Sequence, residues 1–361
     1  MQIESKAIEP LESIYFDGRK DVNLVKDGEN HVTSVKEEHV SIIQEPGSHY
    51  LGHVTPKLGN ARCIASSIMD YLQANNLDFS QVIAIGCDGT AVNTGQKGGI
   101  IRLIEEKMES PVHWFVCLLH TNELPLRHLI QSIDGKTSGP ASFTGSIGKQ
   151  LHDCEKKDIL AFQPIDSDSI KIDVEVLSKD QKYLLMIYRA VCNGSVPNNL
   201  RSMNPGTMHH ARWLTTANRI LRLYVSTSEP SHDLVILVEY IMKVYVPVWF
   251  SIKCHCSATE GPKHFHQLIH RSRFLPSKYR AVVDKVLQHN CYFAHAENIL
   301  LAMLHDDSPA IRELGARRIL KARNEENLAI RKFTLPKLNF EAPNYVAMID
   351  WQKCQLRAFQ Y

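Results

Sequence analysis

Two stretches, Ser13-Ile14-Tyr15-Phe16-Asp17-Gly18 and Val82-Ile83-Ala84-Ile85-Gly86-Cys87-Asp88-Gly89, decide the fold, because each is an apolar run that closes on Asp-Gly. The second is uninterrupted by polar residues, the pattern of a strand buried on both faces of a parallel sheet. The first is short and β-rich, and Gly18-Arg19-Lys20-Asp21 after it predicts a turn into Val22-Asn23-Leu24-Val25. Asp27-Gly28 predicts a second turn, leading on to His39-Val40-Ser41-Ile42-Ile43. Short β-rich runs joined by glycine-containing turns predict an antiparallel meander.

Beyond residue 59 the period changes. Ile64, Ile68, Tyr71 and Leu72 recur at helical spacing over residues 60–77, and Asn75-Asn76 stops the run. After the apolar strand at 82–87, residues 95–108 predict a second helix that turns Ile100, Leu103 and Ile104 inward. His113-Trp114-Phe115-Val116-Cys117-Leu118-Leu119 reads as a further buried strand, and residues 120–133 as a third helix. Three strands followed by βα alternation predict an α/β fold, a mixed sheet with helices on its faces. In a ribonuclease H-like arrangement of these elements, the first and fourth strands lie side by side at the sheet centre. Asp17 and Asp88 would then meet.

Residues 135–180 are polar and irregular. Helical periodicity returns at 182–191, 211–224, 233–245, 265–271, 280–289, 297–304 and 311–322. The expected organisation is a first core part at 11–134, a large, mainly helical insertion at 135–290, helices completing the core at 291–325, and an unassigned tail at 326–361.

The chain of 361 residues is long enough for one large domain or two ordinary ones. With 41 basic and 39 acidic side chains the net charge is only +2, so any hold on DNA must come from a local patch. Nine cysteines in no even framework suggest free thiols in a reducing compartment. The opening MQIESKAIEPLES has no apolar centre, which argues against a secretory signal. Read run by run, no segment reaches the roughly 20 apolar residues of a membrane span. A nuclear or cytoplasmic protein with no membrane association is therefore expected. Gly95-Gln96-Lys97-Gly98-Gly99 is glycine-rich but lacks P-loop spacing, and nothing else points to an organic cofactor or a small-molecule substrate.

Phosphoryl transfer by two metal ions needs carboxylates that converge on closely spaced cations, and hard ions such as Mg²⁺ take oxygen ligands. Asp17 and Asp88 meet that demand if their strands are neighbours; the plainer reading is a pair of turn aspartates. The pattern Asp88-Gly89-Thr90-Ala91-Val92-Asn93-Thr94-Gly95, then Cys117-Leu118-Leu119-His120 one helix later, resembles the catalytic core of hAT-type DNA transposases, closest to divergent transposase-derived animal proteins. Tyr15-Phe16-Asp17-Gly18 is similar to the strand that carries the first catalytic Asp in that family. The likeness runs from Asp17 to about Arg323 and rests on the order and spacing of these motifs.

The resemblance implies a ribonuclease H-like fold, DNA as partner, and Mg²⁺ or Mn²⁺ held by an Asp-Asp-Glu triad. Asp17 and Asp88 are its first two members. Glu297, in His295-Ala296-Glu297-Asn298, is the first choice for the third, with Glu313 the runner-up. A Glu in a first helical turn also suits the helix dipole. The resemblance further implies that Cys117 and His120 shape the site; a buried strand thiol is the alternative for Cys117. His209-His210-Ala211-Arg212-Trp213 resembles the family's Arg-Trp motif, in which Trp213 would stack on a flipped base and Arg212 would meet phosphate. Packing of Trp213 into a helical core is the plainer alternative.

Two further clusters are Cys254-His255-Cys256 with His264 and His266, a soft-ligand set with no recognisable zinc spacing, and Arg312, Arg317, Arg318, Lys321 and Arg323, which read as a solvated basic face or, alternatively, as the lining of a DNA groove. The family carries a zinc-binding module before its first Asp, whereas the 16 residues before Asp17 hold no cysteine. No C-terminal dimerisation motif is recognisable, although a homo-oligomer stays open. Two expectations follow: a core that still cuts and joins DNA, or a degenerate or domesticated core that binds without cutting.

Overall fold

The computed structural model describes residues 10–323, apart from 27, 29–30, 96, 111, 138–141, 209–212, 256–259 and 294–299. The chain divides into two compact units. One comprises Met1–Cys117 with Asn290–Tyr361, the other Leu118–His289.

The first unit holds a five-stranded mixed sheet of β1 (Ser13–Lys26), β2 (Val32–Glu45), β3 (His49–Val54), β4 (Ala84–Cys87) and β5 (His113–Val116), in the order β3-β2-β1-β4-β5. β1 pairs antiparallel with β2, and β2 with β3, while β1–β4 and β4–β5 are parallel. Helix α1 (Ala61–Ala74) joins β3 to β4; a short α2 (Ala91–Thr94) and α3 (Ile100–Met108) join β4 to β5. Asn60 caps α1 by accepting the Cys63 N–H at 3.0 Å, and Asn76 ends the helix with a φ of 54°. Ile14, Phe16 and Ile42 from the sheet meet Ile64, Ile68 and Leu72 of α1 and Ile100, Ile101 and Ile104 of α3 in one apolar core.

Several expectations are corrected. β1 does not stop at Asp17-Gly18. Gly18 pairs with Val40, and the register with β2 runs unbroken from Ser13↔Glu45 to Lys26↔Val32, so the residues read as a turn at 18–21 are strand. A side chain at Gly18 would meet nothing closer than 3.6 Å, so this glycine forces no bend. β5 ends at Val116, and Leu118 and Leu119 already belong to the next helix. The helix read at 95–108 starts only at Ile100. A Cβ on Gly99 would lie 2.3 Å from the backbone N of Gly95, so the glycine run makes a tight backbone crossing ahead of α3.

In the second unit, α4 (Leu118–Asp134) is followed by a mostly non-helical stretch with three single 3₁₀ turns. Then come α5 (Lys179–Asn193), α6 (Asn198–Arg201), α7 (Leu214–Tyr224), α8 (His232–Tyr240), α9 (Val246–Cys254), α10 (Gly261–Arg271) and α11 (Ser277–Phe293), the last four residues of which fall past the unit boundary at His289. The last described helix, α12 (Pro309–Arg323), belongs to the first unit. A π-helical turn, Ile241–Tyr245, fuses α8 and α9 into one helix of 23 residues, His232–Cys254, with a mean hydropathy of 1.6 over its most apolar window. By length and composition this helix could cross a membrane, which run-by-run reading missed because Glu239 and Lys243 interrupt the apolar residues. Of that window 78% is buried inside the protein, and Glu239 and Lys243 pair with each other at 2.6 Å. Core packing thus accounts for its apolarity.

The irregular stretch is held by α7. Arg219 donates to the carbonyls of Leu151, His152 and Gly206 at 2.6, 3.0 and 2.7 Å and meets the Glu155 carboxylate at 2.9 Å. The loop after α4 closes on Asp134, whose carboxylate accepts the N–H groups of Ile147 and Gly148 at 2.8 and 2.7 Å.

Candidate functional site

Parallel pairing of β1 with β4 sets Ser13 beside Ala84, Ile14 beside Ile85 and Tyr15 beside Gly86. Continued two residues further, the same register brings Asp17 level with Asp88. Both line one cleft of about 230 Å³ together with Gly18, Glu38, Thr90 and Asn93. The pairing of these strands was expected; the position of Asp17 differs in that it lies within a continuing strand. Backbone freedom at a strand end therefore does not set this carboxylate. Strand pairing does.

Asp88 follows the last residue of β4 and is half-buried. Its Oδ1 accepts the Thr90 N–H at 3.0 Å and the Asn93 Nδ2 at 2.7 Å, while Oδ2 accepts no hydrogen bond among the described residues. The turn role thus occupies only one oxygen of this carboxylate. Asp17 is exposed. Asp88 and Asp17 both lie close enough to Cys87 to reinforce the burial that pushes its thiol pKa well above the usual range.

Beneath the carboxylates the sheet is tightly built. The rings of Tyr15 and Phe115 stand 5.8 Å apart over Gly86, where any Cβ would come within 2.2 Å of Phe115 and 2.5 Å of Tyr15. Burial, then the neighbouring Cys117, hold the Tyr15 phenol far above its ordinary pKa. Tyr15 and Cys87 are therefore neutral floor residues that add no charge below Asp17 and Asp88. Cys117, half-buried, hydrogen-bonds Tyr15 and donates its backbone N–H to the Cys87 carbonyl at 2.8 Å. His120 lies half-buried in the first turns of α4, in the second unit.

Glu38 had no signal in the sequence, because β2 was expected to begin at His39. Its carboxylate occupies the space beside Gly59, where a Cβ would lie 2.4 Å from Oε2. Glu297, Arg212, His209, His210 and Cys256 lie outside the described residues. Glu313 is on α12, 62% exposed, and pairs with Arg317. Trp213 is only 5% exposed, edge-on to Phe143 at 6.4 Å and with the Arg127 guanidinium 5.9 Å from its ring. As packed, its ring is committed to the helical unit. His264 donates its Nε2–H to the His255 carbonyl at 2.8 Å and meets Ser251 Oγ through Nδ1 at 3.3 Å, so both ring nitrogens are engaged away from a zinc set. Arg312 is bound to the carbonyls of Asp306 and Asp307.

Among the described residues no group of three or more His, Cys, Asp or Glu could share a metal ion. Asp17 and Asp88, with Glu38, line the cleft as carboxylates, the donor type Mg²⁺ or Mn²⁺ takes. No family model matches the chain, and no curated protein or solved structure is significantly similar to it.

The thiols give a direct check on this electrostatic picture. Cys254 is exposed, whereas Cys87 and Cys154 are buried, and burial pushes the Cys154 thiol up to about 11. Since the thiolate is the reactive form, native protein alkylated at pH 8 should be modified at Cys254 well before Cys87 or Cys154. Site-resolved mass spectrometry reads the order, and early modification of Cys87 would contradict the buried floor.

Proposed function

We propose that the first unit is a ribonuclease H-like core of the hAT transposase type and that the protein is transposase-derived, acting on DNA with Mg²⁺ or Mn²⁺. The observation that carries the reading is the meeting of Asp17 and Asp88 on adjacent parallel strands, level with each other and lining one cleft. The sheet order β3-β2-β1-β4-β5, with helices between β3, β4 and β5, supports the fold assignment. Asp17 and Asp88 would hold the ion, with Glu297 as the proposed third ligand. When bound, it would supply positive charge to a phosphate oxygen and a more acidic water. Asn93 and Thr90 hold Asp88 by one oxygen and so orient the other. Neutral Tyr15 and Cys87 keep the carboxylates as the local negative charge.

A second reading, a domesticated core that binds nucleic acid or protein without cutting, is favoured by the near-neutral net charge and by the engagement of Asp88 Oδ1 in its own turn. Calorimetric titration with Mg²⁺ and Mn²⁺ separates the two. Binding by the wild type that is lost in both Asp17→Ala and Asp88→Ala supports the metal-dependent reading. No binding in any of the three proteins removes it and leaves the second.

A further inference from the structure

We propose that the outer part of the β1/β2 hairpin is an arm that binds duplex DNA along one face, through Lys20, Lys26 and Lys36. The inference rests on the choice of DNA as partner made above, and not on metal chemistry.

The argument begins with strand lengths. β4 pairs with β1 only over Ser13–Tyr15, and β3 reaches β2 only over Val40–Gln44. Arg19 to Lys26 and Val32 to His39 therefore leave the sheet as a two-stranded ribbon, paired only with each other. Eight residue pairs at ~3.3 Å each give a length of about 26 Å. A ribbon of two strands is one of the two elements that the major groove of B-form DNA admits.

Its two faces differ. Side chains alternate along a strand, so Lys20, Val22, Leu24 and Lys26 share a face with Val32, Ser34, Lys36 and Glu38. On the opposite face the charges are settled internally. Arg19 pairs with Asp21 at 2.7 Å, and Asn23 bridges Glu37 and His39 at 2.6 and 2.7 Å. The three lysines are exposed and form no ion pair among the described residues. Between them stand Val22, Leu24 and Val32, exposed by 65, 75 and 54%. A face with three uncommitted cations around a small apolar centre complements phosphates flanking a groove, with the apolar residues against thymine methyls and sugars. The lysines also work against edge pairing with a second copy, where like charges would approach. This face leads to the cleft: Gly18 and Glu38 lie on it and line the cleft beside Asp17. A duplex held by the arm would thus run toward the carboxylates.

The test measures binding of a labelled 30-base-pair duplex to the full chain by fluorescence anisotropy over a series of salt concentrations, in EDTA so that metal binding plays no part. Lys20→Gln/Lys26→Gln/Lys36→Gln is compared with Lys149→Gln/Lys171→Gln/Lys179→Gln, which removes the same charge from exposed positions in the second unit. The ribbon variant should lose at least about ten-fold in affinity at 0.1 M salt, and its log–log salt slope should fall by up to about 2.7, at ~0.9 per phosphate contact. The control should stay within about two-fold. Circular dichroism checks that both variants fold. Equal losses in the two variants would reduce the effect to bulk charge and overturn the arm. So would wild-type protein without duplex affinity, tighter binding of the single strand, or a ribbon variant that instead changes the oligomeric state in sedimentation. Because EDTA is present, loss of the arm and loss of the metal site are read separately.

Discussion

Glu105→Ala is expected to lower the free energy of unfolding by about 3–5 kcal/mol, the range for breaking a buried ion pair from one side. Glu105 is fully buried on α3, and both of its oxygens are engaged. Oε1 accepts the Val112 N–H at 3.1 Å and the Trp114 Nε1–H at 3.0 Å, and Oε2 lies 2.8 Å from Arg102, itself 4% exposed. The Arg102 guanidinium also sits 5.6 Å from the Trp114 ring. Alanine would take the carboxylate away from a buried cation, a backbone donor just before β5 and an indole donor together. Glu105→Gln keeps an acceptor for the two N–H groups but leaves Arg102 without its counter-charge, so it should fall between wild type and alanine. Urea unfolding followed by Trp fluorescence and far-UV circular dichroism measures all three. A loss below about 1 kcal/mol in the alanine variant would show that α3 and β5 are joined by apolar packing instead.

Arg219→Ala should have an effect of similar size, about 3–5 kcal/mol, in the helical unit. Here a buried guanidinium on α7 ties down residues 148–157, whose only regular structure is two single 3₁₀ turns, and satisfies carbonyls of Leu151 and His152 that those turns do not serve. Arg219→Lys keeps the charge on Glu155 but cannot reach several carbonyls at once, because an ammonium lacks the planar fork. It should recover less than half of the loss. Proteolysis gives the local readout: cleavage at Lys149, Lys156 or Lys157 by trypsin should speed up in both variants. Unchanged cleavage would mean that the segment is held by other contacts, Arg222 to the Lys157 carbonyl at 2.7 Å among them.

The parts of this fold legible in the sequence were those with a clean period. The apolar run ending at Cys87 and the helix over residues 60–77 were of that kind, whereas the neighbouring of the Asp17 and Asp88 strands followed only from the assumed ribonuclease H-like arrangement. The extent of β1 could not, because Gly18-Arg19-Lys20-Asp21 carries turn residues and an exposed ribbon imposes no apolar alternation to contradict them. Leu118 and Leu119 misled for the opposite reason: apolar residues continue past Val116 while the backbone has already turned helical. The site was half legible. Asp-Gly at the end of an apolar run marks a carboxylate near a strand end, but Glu38 arrives through cross-strand register over a distance that no local pattern encodes. Arg102 and Glu105 look like an ordinary surface pair on α3, three residues apart, and their contacts with Val112 and Trp114 around the next strand are not readable from the helix alone.

The π turn within His232–Cys254 has a consequence for how this helix can change in length. A π turn holds one residue more than the α-helical turn it replaces. Losing one residue anywhere else in the helix swings every later side chain by about 100°, taking Trp249, Phe250 and Ile252 out of their packing. Losing one within Ile241–Tyr245, where Lys243 is the least buried, would relax the turn to α geometry and leave both flanking faces aimed as before. In a helix surrounded by core on nearly every side, that turn is where the loss of one residue can be absorbed.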